Sequence, residues 1–173
     1  MKIQLLQLGE ISSALVAGLK EGLSRELSAS CEILPSAPQP TYALNPVRQQ
    51  YCSTEILAEL VSRPRPSAAK LLAITSSDLF VPILTFVFGE AQMNGSCAVV
   101  STHRLRQEFY GLPADPALLQ SRLIKEAVHE LGHTIGIAHC EDYSCVMAPS
   151  HAIEWIDLKQ PSLCKACRAA VTA

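Results

Sequence analysis

The sequence predicts a three-layer α/β domain with a mostly parallel sheet and one antiparallel edge strand. Apolar runs alternate with helical patterns along the first half of the chain, which is typical of helices that cover a parallel sheet. Residues 70–75 are apolar almost throughout, as expected of a strand with both faces buried. Asn94-Gly95 lies between two β-rich segments, and this dipeptide favours a hairpin, so the last two strands should be antiparallel neighbours.

The individual elements follow from local patterns. Residues 3–8 form an apolar run that Gly9 closes, and from residue 12 the leucines recur at helical spacing to about residue 28. Pro35 ends the next short apolar run, and prolines mark a loop over residues 38–46. The predicted strands are 3–8, 31–34, 70–75, 84–89 and 97–102, and the predicted helices are 12–28, 47–61 and about 116–136.

The antiparallel edge strand bears on function. An edge strand has free backbone N–H and C=O groups, to which an extended peptide can add. The alternative is that the loop over residues 104–113 covers this edge.

The length and composition of the chain favour a single domain, and its charge favours neither a nucleic acid nor an anionic membrane as a partner. The chain has 173 residues, 49% of them hydrophobic, which suits one buried core better than two. A net charge of -2 and the lack of a Lys/Arg run indicate neither nucleic acid nor an anionic membrane as a partner. The interrupted apolar run at the amino terminus does not resemble a signal peptide, and no segment is long enough for a membrane span. We therefore expect a cytoplasmic protein, with a monomer favoured.

A histidine motif marks the candidate catalytic centre. Asp115-Pro116 is typical of a helix start, and the helix that follows carries His129 and His133 four residues apart on one face. Two imidazoles in this arrangement can bind one zinc ion, and Glu130 can reach a water on that ion as general base. Gly136 can turn the chain beyond the helix, so that His139 becomes a third ligand. Three ligands leave the open fourth position of a catalytic zinc.

Four of the seven cysteines form a second candidate site. Cys140, Cys145, Cys164 and Cys167 have the paired spacing of a structural zinc site, and four thiolates would complete its tetrahedron. The alternatives are two disulfides or an unliganded cluster. A nucleic-acid-binding zinc ribbon is disfavoured because this region has few basic residues. The other three cysteines, Cys31, Cys52 and Cys97, have apolar surroundings that predict small buried side chains.

These residues together resemble one family, the archaemetzincins of the metzincin clan. The resemblance lies in the motif His129-Glu130-x-x-His133-x-x-Gly136-x-x-His139, in the four cysteines, and in a methionine two residues after the second cysteine. It also includes residues 86–91 and Arg104-Leu105. It implies a metzincin-like zinc peptidase with three histidine ligands, Glu130 as base, Met147 as the methionine turn, and a second zinc on the cysteines. The implied domain spans residues 1–173, with an α/β part over 1–136 and a C-terminal subdomain over 137–173.

The implied reaction is hydrolysis of a peptide or protein substrate by a zinc-activated water. Endopeptidase and aminopeptidase activity both stay open, and Glu90 is only a weak candidate for binding a substrate amine. Candidates for a transition-state donor, by residue type alone, are Tyr110, Tyr143 and His103, whereas His151 is expected to be a loop residue. The alternative function is a two-zinc binding or structural protein with little turnover.

Overall fold

The structure is a computed structural model that describes the backbone of residues 1–172 and the side chains of residues 1–170. The strands are β1 (Lys2–Leu8), β2 (Ser30–Ile33), β3 (Leu44–Asn45), β4 (Gln50–Cys52), β5 (Ala69–Thr75), β6 (Leu79–Phe80), β7 (Gly89–Ala91) and β8 (Cys97–Ser101). The helices are α1 (Ser13–Leu27), α2 (Ser53–Ser62), α3 (Pro116–Thr134), α4 (Ile153–Leu158) and α5 (Lys165–Thr172). Single 3₁₀ turns cover Thr41–Ala43, His103–Leu105 and Gln107–Tyr110.

The main sheet has the predicted mixed topology. Its strand order is β2-β1-β5-β8-β7, and all neighbours are parallel except β7, which pairs antiparallel with β8 at the edge. A second sheet of short strands has the order β3-β4-β6. The predicted mostly parallel sheet with one antiparallel edge strand is confirmed.

Helices cover both faces of the main sheet. Because strand side chains alternate between faces, Leu5 and Leu72 pack with α1 and α3, whereas Leu6 and Leu71 pack with α2 on the other side. These leucines are between 0% and 3% exposed. The result is the three-layer arrangement predicted from the sequence.

The predicted strand over residues 84–89 is wrong, although the antiparallel neighbour of β8 exists. β7 begins only at Gly89, and residues 84–88 form a loop with a single β-bridge, between Val87 and Leu79. Arg48 donates hydrogen bonds to the carbonyls of Leu84 (2.8 Å) and Thr85 (3.0 Å), which takes these groups out of a strand ladder. The Arg104 guanidinium instead packs over the Phe86 ring, and its central carbon lies 4.2 Å from the centroid of that ring. Tertiary contacts therefore override the β propensity of this segment.

The predicted helix over residues 47–61 begins later than expected. The side chain of Asn45 accepts hydrogen bonds from the backbone N–H groups of Val47 and Arg48, and Gln49 has a φ of 54°. This turn leads into β4, and α2 begins only at Ser53. A side-chain turn of this kind competes with helix formation.

A group of charge-assisted hydrogen bonds fastens the C-terminal segment to α3. Arg122 forms a bidentate ion pair with Asp157 at 2.7 and 2.6 Å, and the Lys125 ammonium donates to the carbonyl of Ile156 at 3.0 Å. The Lys159 ammonium lies 3.5 Å from a carboxylate oxygen of Glu126, and both side chains are almost fully buried. These contacts hold α4 and the residues after it against the face of α3 that precedes the histidine motif.

Among the helices of the described residues, none combines the length and the apolar character needed to cross a bilayer.

Candidate metal centres and catalytic cleft

Helix α3 carries the first part of the histidine motif, and specific residues set the two ends of this helix. The Asp115 side chain accepts a hydrogen bond from the Leu118 N–H at 2.9 Å, which is the predicted N-cap. The helix ends at Thr134, and Gly136 has a φ of 89°, in the left-handed region that favours glycine. The chain therefore turns where the sequence predicted, and His139 returns towards the helix.

The three histidines converge on one point. Their ring nitrogens lie within 4.8 Å of one another, and the Nε2 atoms of His129 and His133 are 3.1 Å apart. The Nδ1 of His129 is 2.8 Å from the Val146 carbonyl, and that of His133 is 2.8 Å from the Ile137 carbonyl. Since only a protonated Nδ1 can donate to these carbonyls, each Nε2 keeps a free lone pair for a metal.

The donor set fits a zinc ion. Two nitrogens of a tetrahedral zinc site with bonds of about 2.05 Å are separated by roughly 3.3 Å, close to the observed spacing of the two Nε2 atoms. Burial lowers the pKa of His129 well below its usual value and also lowers the pKa of His133 and His139. Neutral imidazoles are the form that binds metal. Within the described part of the chain, no fourth side chain joins this cluster.

Glu130 lies beside the triad and faces the same cleft. Its side chain is 6% exposed, and burial raises its pKa well above the usual value, with further contributions from Glu126 and Glu90. A carboxyl group of raised pKa takes up a proton more readily than a free carboxylate does. Glu130 therefore lies where its carboxyl group can exchange a proton with a molecule in the cleft.

The Glu130 side chain has room only because residue 89 is a glycine. A Cβ atom on Gly89 would lie 2.8 Å from Cγ and Oε1 of Glu130 and 2.7 Å from the backbone oxygen of Val99. We expect Gly89→Ala to displace the Glu130 carboxylate and to lower kcat by ~100-fold, because small misplacements of a catalytic group have effects of this size. Kinetic assays should show this loss with the zinc content unchanged.

Gly18→Ala is a matched control for that prediction. Its Cβ would also make a close contact, 2.4 Å, but with the flexible Gln120 side chain between α1 and α3, away from the cleft. A Gly89→Ala enzyme with wild-type kcat would show that Glu130 does not depend on this glycine.

The triad and Glu130 open into a cleft of about 880 Å³ between the edge strand β7 and the segment after the triad. One wall is formed by residues 84–91 and Met93, and the other by Ala138, His139 and residues 149–151. No residue of the loop 104–113 lines it, so of the two alternatives for the strand edge, the structure favours the open one. Glu90 also lines the cleft, but its carboxylate accepts hydrogen bonds from Ser53 Oγ and Thr54 Oγ1.

The register of the edge strand turns the backbone groups of two residues away from β8. Phe88 and Gln92 form backbone hydrogen bonds with β8, since the Ser101 N–H donates to the Phe88 carbonyl and the Gln92 N–H donates to the Cys97 carbonyl. In an antiparallel ladder bonding residues alternate, so the N–H and C=O groups of Gly89 and Ala91 point away from β8. These groups therefore lie on the open edge of β7, which borders the cleft.

Met147, the predicted methionine turn, packs against α3 beside Gly132. Its side chain is fully buried, and a Cβ atom on Gly132 would lie 2.4 Å from its sulfur. The Met147 carbonyl accepts a hydrogen bond from the Cys140 N–H at 3.0 Å, and its neighbour Val146 accepts from His129. The turn thus contacts both the active-site helix and the start of the cysteine segment.

The four C-terminal cysteines form a second cluster. Their sulfurs lie within 4.8 Å of one another, and the pairs Cys140–Cys164 and Cys145–Cys167 are each 3.8 Å apart. A disulfide needs about 2.05 Å, whereas two sulfurs of a tetrahedral zinc with 2.3 Å bonds are about 3.8 Å apart. The Cys167 N–H donates to the Cys164 sulfur and lowers the pKa of that thiol to about 7. The donor set fits zinc and does not fit two disulfides.

The residues proposed by type as transition-state donors lie elsewhere. The Tyr110 hydroxyl donates to the Arg104 carbonyl at 2.9 Å, His103 bonds the Ser76 carbonyl through Nδ1, and Tyr143 packs on Trp155. None of the three lines the cleft, whereas His151 does. His151 is the loop residue that the sequence predicted, and its place in the cleft was not predicted. Its closeness to Met147 in the sequence was the available signal.

The fold, the histidine triad and the adjacent glutamate define the class of zinc metallopeptidases, and comparisons with known proteins agree. Residues 41–172 match the model of peptidase family M54. The archaemetzincin of Methanocaldococcus jannaschii is 41% identical over 96% of this chain and 90% of its own. The chain belongs to this family, the archaemetzincins, and is a zinc metallopeptidase that acts on peptide or protein substrates.

Solved structures show the same fold. The archaemetzincin of Methanopyrus kandleri has a TM-score of 0.87 at 36% identity, covering 99% of this chain and 93% of its own. A zinc-dependent peptidase from Methanocorpusculum labreanum has a TM-score of 0.90 at 30% identity, covering 98% and 99%. The likeness therefore extends over both the sheet and the C-terminal cysteine segment.

Proposed function

We propose that this metallopeptidase hydrolyses peptide bonds with His129, His133 and His139 as the ligands of a catalytic zinc and Glu130 as general base. The observation that carries the proposal is the open side of the triad. Three imidazole nitrogens face a cleft that Glu130 shares, and no fourth side chain of the described residues completes the cluster. A substrate and a water molecule can therefore both reach the metal position.

Zinc bound there would polarise the scissile carbonyl and lower the pKa of a water molecule to about 7. Glu130 then takes a proton from the attacking water and delivers it to the leaving amine. Its burial suits both steps, because it raises the pKa of the carboxyl group towards that of the water. The carbonyls of Val146 and Ile137 hold His129 and His133 in the tautomer that this chemistry needs.

We further propose that substrate binds in an extended conformation along β7. The free backbone groups of Gly89 and Ala91 can pair with a peptide strand, which is how many proteins recognise extended chains. The strand leads directly to Glu130, which touches Gly89.

A second, structural zinc on Cys140, Cys145, Cys164 and Cys167 completes the proposal. The sulfur spacing supports it, as does the adjacency of Cys140 to His139.

The apolar core supports a single domain, because Val146, Ile153 and Ile156 pack with the β1–α1–α3 core. A cytoplasmic location and a monomeric state stand as predictions from the sequence.

The first test is zinc stoichiometry combined with peptide hydrolysis. We expect two zinc ions per wild-type chain and cleavage of some members of an internally quenched peptide library. His129→Ala/His133→Ala should bind one zinc, remain folded and lose all cleavage, because the cysteine site is independent of these imidazoles.

His103→Ala serves as the control, since His103 lies outside both clusters. It should keep two zinc ions and full activity. A wild-type protein that holds zinc but cleaves no peptide would favour the alternative of a two-zinc structural protein, and a histidine variant that keeps both ions would exclude the assigned ligands.

A further inference from the structure

A side-chain hydrogen-bond donor would add to the stabilisation that zinc gives the proposed reaction, and the residues assigned so far do not provide one. Attack on a peptide carbonyl leads to a tetrahedral transition state in which the former carbonyl oxygen gains negative charge. A side-chain N–H or O–H aimed at that oxygen typically accelerates such reactions by about 10² to 10³. Glu130 cannot serve, because it acts as the proton acceptor.

The side chains that line the cleft leave few candidates. Apart from the three zinc ligands, the lining side chains with an N–H or O–H donor are Thr85, Ser150 and His151. Thr85 lies on the loop before β7, exposed to solvent, on the opposite wall from His139. Ser150 and His151 lie on the same wall as His139, on the loop that follows the methionine turn.

His151 lines the same cleft as the zinc ligands without being one of them. His139 and His151 lie on the same wall of that cleft. His151 nevertheless stays outside the group of ring nitrogens that lie within 4.8 Å of one another. It therefore faces the space in which a substrate bound at the metal position would lie.

The ring of His151 is oriented and its nitrogens are available to a ligand. It packs edge to face on Trp155, with centroids 5.9 Å apart and an interplanar angle of 74°. Trp155 belongs to α4, whose C-terminal end Arg122 and Lys125 hold against α3. The ring of His151 is exposed, and among the described residues the buried hydroxyl of Ser150 beside it has no hydrogen-bond partner.

We propose that His151 is a further catalytic residue, whose imidazole N–H donates a hydrogen bond to the developing oxyanion of the substrate. The proposal rests on the proposed function and adds to it the group that stabilises the transition state. Trp155 acts as a positioning residue, since it touches His151 and not the substrate. A neutral imidazole is sufficient, because it carries one N–H donor.

The test compares His151→Ala with wild type in two measurements. We expect kcat to fall by about 100-fold with KM within about 2-fold, because the interaction exists only in the transition state. A phosphinic peptide, which has a tetrahedral anionic phosphorus in place of the scissile carbonyl, should lose affinity by a similar factor in calorimetric titrations. Zinc content should stay at the wild-type value.

Further variants distinguish the donor role of His151 from a role of its neighbours. His151→Gln keeps an N–H donor and should recover part of the lost affinity for the phosphinic peptide. Tyr143→Phe and His103→Gln should behave as wild type, since neither residue lines the cleft. A His151→Ala protein within about 3-fold of wild type in kcat and in phosphinic-peptide affinity would overturn the proposal, as would a loss found in Ser150→Ala instead.

Failure of the proposed function would look different. In that case wild type would cleave no peptide and Glu130→Gln would be indistinguishable from it. The titration with the phosphinic peptide needs no turnover, so it tests His151 at any catalytic rate. Wild type that does not bind the phosphinic peptide would count against His151 as well.

Discussion

The Glu130→Gln variant is expected to bind zinc as wild type does and to lose a factor of roughly 10² to 10⁴ in kcat. Glutamine has the shape of glutamate but cannot accept a proton from the attacking water. The three histidines, with their carbonyl partners Val146 and Ile137, are unaffected by the change. Steady-state hydrolysis of a library-selected peptide, with zinc measured by atomic absorption on the same samples, checks both parts.

Glu108→Gln is the matched control, because Glu108 is exposed and lies outside the cleft. It should keep wild-type kcat. If Glu130→Gln retained hydrolysis, another group would have to be the base, and Glu126 would be the next candidate because its side chain also lines the cleft.

The second large effect is expected from the cysteine cluster. Cys164→Ser/Cys167→Ser should bind one zinc instead of two, because two of four sulfur ligands are gone. Structural zinc contributes directly to folding free energy. We expect the loss to be on the order of 3–5 kcal/mol, which would lower the Tm by roughly 10 °C in a chain of this size. Calorimetry and zinc analysis of the purified variant provide the measurement.

The cysteine variant should also lose peptidase activity, because the two centres share a segment. Cys140 follows His139 directly, and its N–H is hydrogen-bonded to the carbonyl of Met147, which packs against α3. Losing the second zinc should therefore loosen the third catalytic ligand. Cys31→Ser/Cys52→Ser is the control, since both thiols lie outside the cluster. Two zinc ions in the Cys164→Ser/Cys167→Ser variant would rule out the four-cysteine site.

The local sequence pattern predicted the features that depend only on residues close together in the chain. The spacing of His129 and His133 is a property of any helix, and Asp115, Pro116 and Gly136 define the ends of that helix by their own backbone preferences. The apolar run of β5 and the Asn94-Gly95 turn likewise predicted a buried strand and an antiparallel edge pair, and the structure has both. The positions of β1, β2, β5, β8, α1 and α3 were therefore available from the sequence, whereas β3, β4, β6, α4 and α5 were not predicted.

The errors occurred where distant residues decide the local conformation. Residues 84–88 are rich in β-formers, but Arg48 and Arg104 bind that segment as a loop from 36 and 18 residues away. The turn at Asn45 similarly delays the start of α2. Such contacts leave no periodic signal in the sequence, so pattern alone assigned the wrong element.

The sequence by itself determined which residues to propose as zinc ligands and as the base, because metal binding restricts residue types and their spacing. The same residues carried the family resemblance. Only the tertiary structure decided what surrounds them. It revealed the room at Gly89 for Glu130, the buried Glu126–Lys159 pair and the place of His151 in the cleft. These features arise between residues far apart in the chain. Their geometry depends on how the C-terminal segment packs against α3, and that packing is specified by the whole core rather than by any short motif.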